Sequence, residues 1–280
     1  MLRLTLEDFS PAAIAESGQC FRMRPVHTEE QCWELMAGRR YLRIWQLGDQ
    51  EFQFSCSEEE WADFFRHYFD LDVDYSAYRA YCLEEDEFLK RCMSYGQGIR
   101  ILHQDPYEAL ISFLISQRKS VPAIRTIVER MSEIAGEPIE NAYGSFHAFP
   151  SAEALAACSI DELRPTGAGY RIGYILDAAR QCASGELDLD GIGTLPDEEL
   201  ISVLMKLRGC GIKVASCTAL FGFHRLGICP QDVWMNRVLH EKYQDIWPQQ
   251  YQPVLGVLQQ YMFHYARLEM RKTTNNRRIS

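Results

Sequence analysis

The apolar positions of this chain change period part-way along. Up to about residue 95 they come in short, aromatic-rich runs: Trp33-Glu34-Leu35-Met36, Arg40-Tyr41-Leu42-Arg43-Ile44-Trp45 and Glu51-Phe52-Gln53-Phe54-Ser55-Cys56. The latter two alternate in places, and Gly38 and Gly48-Asp49 mark turns between the three, so an antiparallel sheet is predicted. Residues 58–68 then take helical spacing through Trp61, Phe64, Phe65 and Tyr68. From about 96 helical patterns prevail. Asp105 is placed to cap one of them, with Pro106 at its first position and Glu108 where a capping box puts an acid. Residues 109–115 are apolar throughout and predict a buried helix. Ser116-Gln117-Arg118-Lys119-Ser120 breaks it, and an amphipathic helix is predicted over 121–134.

One later stretch follows neither period throughout. Leu200, Val203, Leu204 and Leu207 recur at helical spacing after an acidic first turn that begins at Asp197, and residues 214–223 are apolar and long enough for a second helix. Between them, Gly209-Cys210-Gly211 offers backbone angles that other residues avoid. A helix, a tight hairpin and a second helix are predicted over about 197–224. The amides of the hairpin and of the second helix's N-terminus then point outward, a ready seat for a phosphate. Lys213 stands at that N-terminus. Asp232 opens the next element, within Cys229-Pro230-Gln231-Asp232-Val233. A lysine and a carboxylate beside a phosphate seat point to chemistry on nucleic acid.

Composition adds bounds. With 280 residues, of which 47% are hydrophobic, two packed domains are expected: a β-rich one over 1–95 and a helical one over 96–280. No apolar run approaches the ~18–20 residues that span a bilayer, and residues 1–8 lack a secretory core. An intracellular protein is expected: cytoplasmic and nucleoid-associated in a bacterium, nuclear in a eukaryote. The ten cysteines are dispersed, with no Cys-x-x-Cys and no zinc-like spacing, so reduced thiols and no metal are expected. The net charge of −10 speaks against DNA at first sight. Its distribution changes that picture: residues 1–90 hold 9 basic against 19 acidic residues, and the rest hold 20 of each. Arg118, Lys119, Arg171, Arg208, Lys213 and Arg237 fall at element ends, where a local positive face is expected. The polar tail, residues 271–278, is expected to be a frayed, solvated end.

Leu207-x-Gly209-x-Gly211-x-Lys213-Val214-Ala215, followed by Pro230-x-Asp232-Val233, resembles the helix-hairpin-helix DNA glycosylases. Further segments resemble the 8-oxoguanine DNA glycosylase branch: Ser17-Gly18-Gln19-Cys20-Phe21-Arg22, the stretch from Gly98 to Glu108, Gly167-Ala168-Gly169-Tyr170-Arg171, and the last helix with Gln259 and Phe263. The resemblance implies an α+β fold, with an N-terminal antiparallel β-sheet domain packed on a mainly α-helical helix-hairpin-helix glycosylase core. It implies a monomer that binds damaged double-stranded DNA and needs no cofactor. No cysteine follows Cys229, so the late iron–sulfur loop of the endonuclease III relatives is not expected. The implied activity is base-excision repair by a bifunctional DNA glycosylase and AP lyase, which removes 8-oxoguanine, and formamidopyrimidine as well.

The implied roles follow residue by residue. The Gly18 carbonyl accepts the proton on N7 that 8-oxoguanine has and guanine lacks. Gln259 meets the Watson–Crick edge and Phe263, four residues on and on the same helical face, stacks on the ring; Cys217 covers the opposite face. Gly209 and Gly211 grip the backbone. Tyr170 wedges into the stack, which helps offset the few kcal/mol lost on unstacking a base, and Arg171 faces the opposite strand. Lys213 attacks C1′ and forms a Schiff base that permits β-elimination, while Asp232 stabilises positive charge on the sugar. A free lysine has a pKa near ~10.4; a helix N-terminus and partial burial are expected to disfavour its charged form. Two departures stand out. Arg118 and Lys119 replace an asparagine-rich run, with Arg118 filling the vacated gap or touching a phosphate, and Ala123 replaces an arginine that reads cytosine. Trp234 replaces a phosphate-contacting histidine. Little discrimination by opposite base is therefore expected. Two other readings stay open: a monofunctional alkylpurine glycosylase with Lys213 idle, and a DNA-holding module without catalysis.

Overall fold

Phe52 and Phe54 point to one side of their strand, and other rings close over them. Phe9 meets Phe52 and Phe69 edge-on at 5.2 Å each, and Trp61 lies 4.3 Å from Phe54. The computed structural model describes the backbone of residues 1–279 and the side chains of 1–267. Its N-terminal sheet is antiparallel, in the order β1-β5-β4-β3-β2. The strands are β1 (Leu2–Thr5), β2 (Met23–Pro25), β3 (Cys32–Ala37), β4 (Arg40–Gln46) and β5 (Glu51–Phe54). Three of these were predicted. β1 and β2 are edge strands too short to carry a pattern of their own. Residues 58–68 are helical as expected, with a wider π turn over Trp61–Phe65 that keeps Trp61 and Phe65 buried.

Among the described residues, eight helices of eight residues or more follow: α1 (Glu87–Tyr95), α2 (Pro106–Ser116), α3 (Val121–Ala135), α4 (Arg171–Ser184), α5 (Asp197–Leu204), α6 (Ile212–Gly222), α7 (Val233–Tyr243) and α8 (Leu255–Ile279). A small hairpin, Pro138–Asn141 with Gly144–His147, was not predicted. The fold is thus the α+β arrangement that the periods implied. α8 continues through the tail for which a frayed end was expected. No helix among the described residues is long and apolar enough to cross a membrane. α2 and α6 are buried almost all round and pack on each other, with the rings of Phe113 and Phe221 stacked at 5.4 Å. Asp105 caps α2 by accepting from the Glu108 amide at 2.8 Å. The expected capping box is not completed, because the Glu108 carboxyl turns to the Gly38 amide instead; burial pushes it up to about 7.

Buried apolar residues form two clusters, one from residues 2–69 with Leu102, the other from residue 75 onward with Ala13 and Phe21. Polar staples cross between them. The buried Gln19 side chain donates to the Arg100 carbonyl at 2.8 Å and accepts from the Leu102 amide at 2.8 Å, and Gln104 returns a bond to the Gln19 carbonyl at 2.9 Å.

A second staple is the buried carboxylate of Asp70. It accepts from Tyr75 Oη at 2.8 Å and meets His103 Nε2 at 3.1 Å and His224 Nε2 at 3.5 Å. His224 follows the C-terminus of α6, so the staple fastens the far end of the helix that begins beside Lys213. Asp70, His103 and His224 offer donor atoms within 4.8 Å of one another. The two rings, however, are stacked at 3.7 Å and only 16° from parallel, and His224 Nε2 lies 3.2 Å from the Ile101 carbonyl. In-plane lone pairs of parallel rings do not converge on one ion, so the group works as a hydrogen-bonded clamp.

Burial alone would raise Asp70; the bonds from His103 and His224, helped by the His224 charge and the Tyr75 hydroxyl, outweigh it and hold the carboxyl well below its usual range. Its contribution to stability is complete above the unfolded value of ~3.9 and is lost as pH falls toward the folded value. Burial, then the neighbouring His103, lowers His67, which stacks on His103 at 4.0 Å. Acidification through the unfolded histidine value of ~6.5 therefore destabilises as well. Asp70→Asn should cost about 1–3 kcal/mol at neutral pH and flatten the pH dependence below about 4, measured as urea midpoints between pH 3 and 8.

Candidate active site and nucleic-acid interface

The hairpin between α5 and α6 is built on its glycines. Gly209 has φ +82°, and a Cβ there would run into the Tyr174 ring of α4, so glycine is required for both angle and space. Gly211 is the N-cap of α6 and has no side chain to satisfy the amides of the first turn. Gly211 and Ile212 are exposed, so those amides and the positive end of the helix dipole are open to an anion. Lys213 lies in that first turn and is half-buried.

Asp232 has two jobs. Its Oδ1 accepts from the amides of Trp234 at 2.9 Å and Met235 at 2.8 Å, capping α7. It also lines, with Lys213, Gly18 and Phe263, a cavity of about 800 Å³. Inside lies a recess of about 60 Å³ that shares those four residues and adds Cys217 and Gln259. All six residues expected to read or cut are thus brought together from positions 18 to 263. Gly18 has φ +80°, and a methyl group there would approach the Phe263 ring to 3.2 Å. The Gln259 carbonyl oxygen accepts from Gln260 Nε2 at 2.8 Å, leaving the amide hydrogens of Gln259 as the donors it offers to the recess. Burial pushes the Cys217 thiol up to about 12; Cys229, close by, is also at about 12 for the same reason. All ten cysteines are free.

Tyr170 projects, 58% exposed, as a wedge requires. Arg171 turns inward, away from solvent. It is buried, donates to the Ala168 carbonyl at 3.1 Å and to the Gln117 carbonyl, and its guanidinium lies 4.4 Å from the Tyr170 ring centroid. The physical reason is an unpaired carbonyl at the broken end of α2, which a five-donor side chain can satisfy. Arg171 thereby ties the Gly167–Arg171 turn to the loop of Arg118, which protrudes with φ +52°. Tyr174 then joins Tyr170 to the hairpin, edge-on to it at 5.8 Å and filling the space over Gly209.

The expected positive face is also smaller than the sequence implied. Arg208 pairs with Asp177 at 3.0 Å and Arg237 with Glu241 at 2.6 Å. Lys119 and Lys213 do line the cavity. Arg267, which sequence reasoning missed, lines it too, but its guanidinium is turned to the Glu16 carbonyl and the Phe263 ring and does not add to that face. Its signal was the four-residue spacing from Phe263 that had already paired Phe263 with Gln259. Gln19 was missed as a brace for Gly18, since its partners at 100–104 are remote in sequence. Trp234, noted only as a departure, is a wall of the cavity.

A glycine hairpin between two helices, opening on a cavity that holds a lysine and an aspartate, defines a helix-hairpin-helix DNA glycosylase scaffold. A family model described as 8-oxoguanine DNA glycosylase, N-terminal domain, matches residues 1–110. Among solved structures the chain is similar to MBOgg1 in complex with a low-affinity DNA ligand, with a TM-score of 0.88 and 30% identity over 95% of each chain. It is similar to the Clostridium acetobutylicum 8-oxoguanine glycosylase/lyase bound to double-stranded DNA with cytosine opposite 8-oxoguanine, with a TM-score of 0.85 and 31% identity over 94% of this chain and 93% of that one. It is also 34% identical over 160 residues to the N-glycosylase/DNA lyase of Saccharomyces cerevisiae, a match that covers 53% of this chain and 43% of that protein, less than half the relative's length. The chain belongs to the 8-oxoguanine DNA glycosylase family.

Proposed function

We propose that this chain excises 8-oxoguanine, and its formamidopyrimidine relative, from duplex DNA and then cuts the strand by β-elimination. The observation that carries this is the shared recess: Lys213, Asp232, Gly18, Cys217, Gln259 and Phe263 surround one space. A stacked base hides its glycosidic bond, so the nucleotide is first turned out, with the hairpin amides on the backbone and Tyr170 in the stack. Lys213 Nζ attacks C1′; the C1′–N9 bond breaks and its electron pair leaves with the base, which takes up a proton. Asp232 stabilises the positive charge that develops on the sugar. Ring opening gives the Schiff base, loss of a C2′ proton expels the 3′ phosphate, and water hydrolyses the imine to free Lys213. The chain acts as a monomer in the compartment that holds its DNA.

Borohydride reduction during reaction tests this on a panel of duplexes bearing 8-oxoguanine, formamidopyrimidine, alkylated purines or no damage. A covalent adduct on the oxidised purines is expected; base release with no adduct would refute the lysine mechanism. The opposite-base reading rests on Arg118 and Ala123. A bidentate base contact is worth about 1–3 kcal/mol of discrimination, and without the asparagine-rich run and the arginine that read cytosine, excision opposite cytosine, adenine, guanine and thymine should differ by less than about tenfold. Single-turnover rates on the four duplexes check this, and a cytosine preference above about a hundredfold would overturn it.

A further inference from the structure

Arg267 lies one turn beyond Phe263 on α8 and lines the same cavity as Gly18, Lys213 and Asp232. Its guanidinium sits over the Phe263 ring, 5.8 Å from the centroid, within cation–π range. Its Nη1 donates to the Glu16 carbonyl and lies 3.9 Å from where a methyl group on Gly18 would be. One side chain therefore links the Phe263 ring to the loop that carries Gly18. Other anchors of this loop do not reach Phe263: Arg125 donates to the Ala15 carbonyl, Ser17 Oγ to the Ile14 carbonyl at 2.8 Å, and Gln19 bonds Ser17 Oγ and residues 100–102.

We infer that Arg267 is a positioning residue for base readout. It holds the Phe263 ring by a cation–π contact and pins the backbone two residues before Gly18, so that the reading carbonyl and the stacking ring keep a fixed separation. This inference rests on the excision reading above. Its consequence is selective, because an abasic site has no base to be placed. A displacement of about 1 Å in a positioned group reduces a rate on the order of 10²-fold, and that loss should fall on base excision and spare strand cleavage.

The experiment compares wild type, Arg267→Ala and Arg267→Lys on an 8-oxoguanine duplex and on a duplex carrying a preformed abasic site, by single-turnover kinetics. In Arg267→Ala, excision should fall about 30–100-fold while abasic-site cleavage stays within about threefold of wild type. Arg267→Lys keeps a cation and a donor and should recover part of the excision rate. Excision unchanged in Arg267→Ala overturns the inference. So does an equal loss of both activities, which would make the residue merely structural. A wild type that cleaves abasic sites but leaves 8-oxoguanine in place refutes the excision reading itself, and the inference falls with it.

Discussion

Lys213→Gln leaves a chain that folds and holds DNA but gives no borohydride adduct, and its strand cleavage falls by about 10³-fold or more. Glutamine is one bond shorter than lysine, stays polar, and has no amine to form a Schiff base. The side chain is half-buried in the first turn of α6 and none of its contacts carries the core, so stability should change by less than about 1 kcal/mol. The anion seat is untouched, since it is made of main-chain amides of Gly211 and the residues after it. Affinity for an abasic-site analogue should therefore stay near wild type, measured by fluorescence anisotropy at fixed salt. If the adduct persisted in Lys213→Gln, another amine would be the nucleophile. If DNA binding vanished with it, Lys213 would be only a phosphate contact.

Asp232→Asn should lower base excision by about 10²–10³-fold while melting like the wild type. The prediction is sharp because the residue does two separable things. As N-cap of α7 its Oδ1 takes the Trp234 and Met235 amides, and asparagine caps a helix as well as aspartate does. What asparagine removes is the charge proposed to stabilise the sugar. Asp232→Ala removes both, and should add a loss of about 1 kcal/mol in stability. Rates and thermal midpoints of the two variants together assign the carboxylate to chemistry, to the cap, or to both. An Asp232→Asn enzyme within about tenfold of wild type would leave it a cap alone.

The hairpin was readable in the chain because it rests on local demands, whereas Gly18, Cys217, Gln259 and Phe263 were assigned to the base only through the family resemblance. Gly209 has an angle that favours glycine, Lys213 follows a helix start, and Phe263 shares a face with Gln259. The failures were of the opposite kind. Arg171 looked like part of an exposed basic face until the fold supplied the Gln117 carbonyl, 54 residues away. Arg208 looked free until Asp177 came beside it, 31 residues away. β1 becomes a strand only by pairing with β5, which alternation within Leu2–Thr5 could not announce. The clamp on Asp70 draws on residues 67, 75, 103 and 224, none of which has a neighbour in sequence that hints at it. Charge was the least legible property, since a basic residue counts toward a DNA-binding face only if no acid or carbonyl reaches it first.

The thiol that closes one side of the recess has a consequence for where such a protein can work. Oxidised purines accumulate where peroxides and radicals do, and those oxidants attack thiolates in preference to thiols. Cys217 and Cys229 are held protonated by their burial. The recess thus has a soft, apolar wall that resists sulfenic-acid formation, and the excision proposed for this chain would keep that wall intact under the oxidants that damage purines.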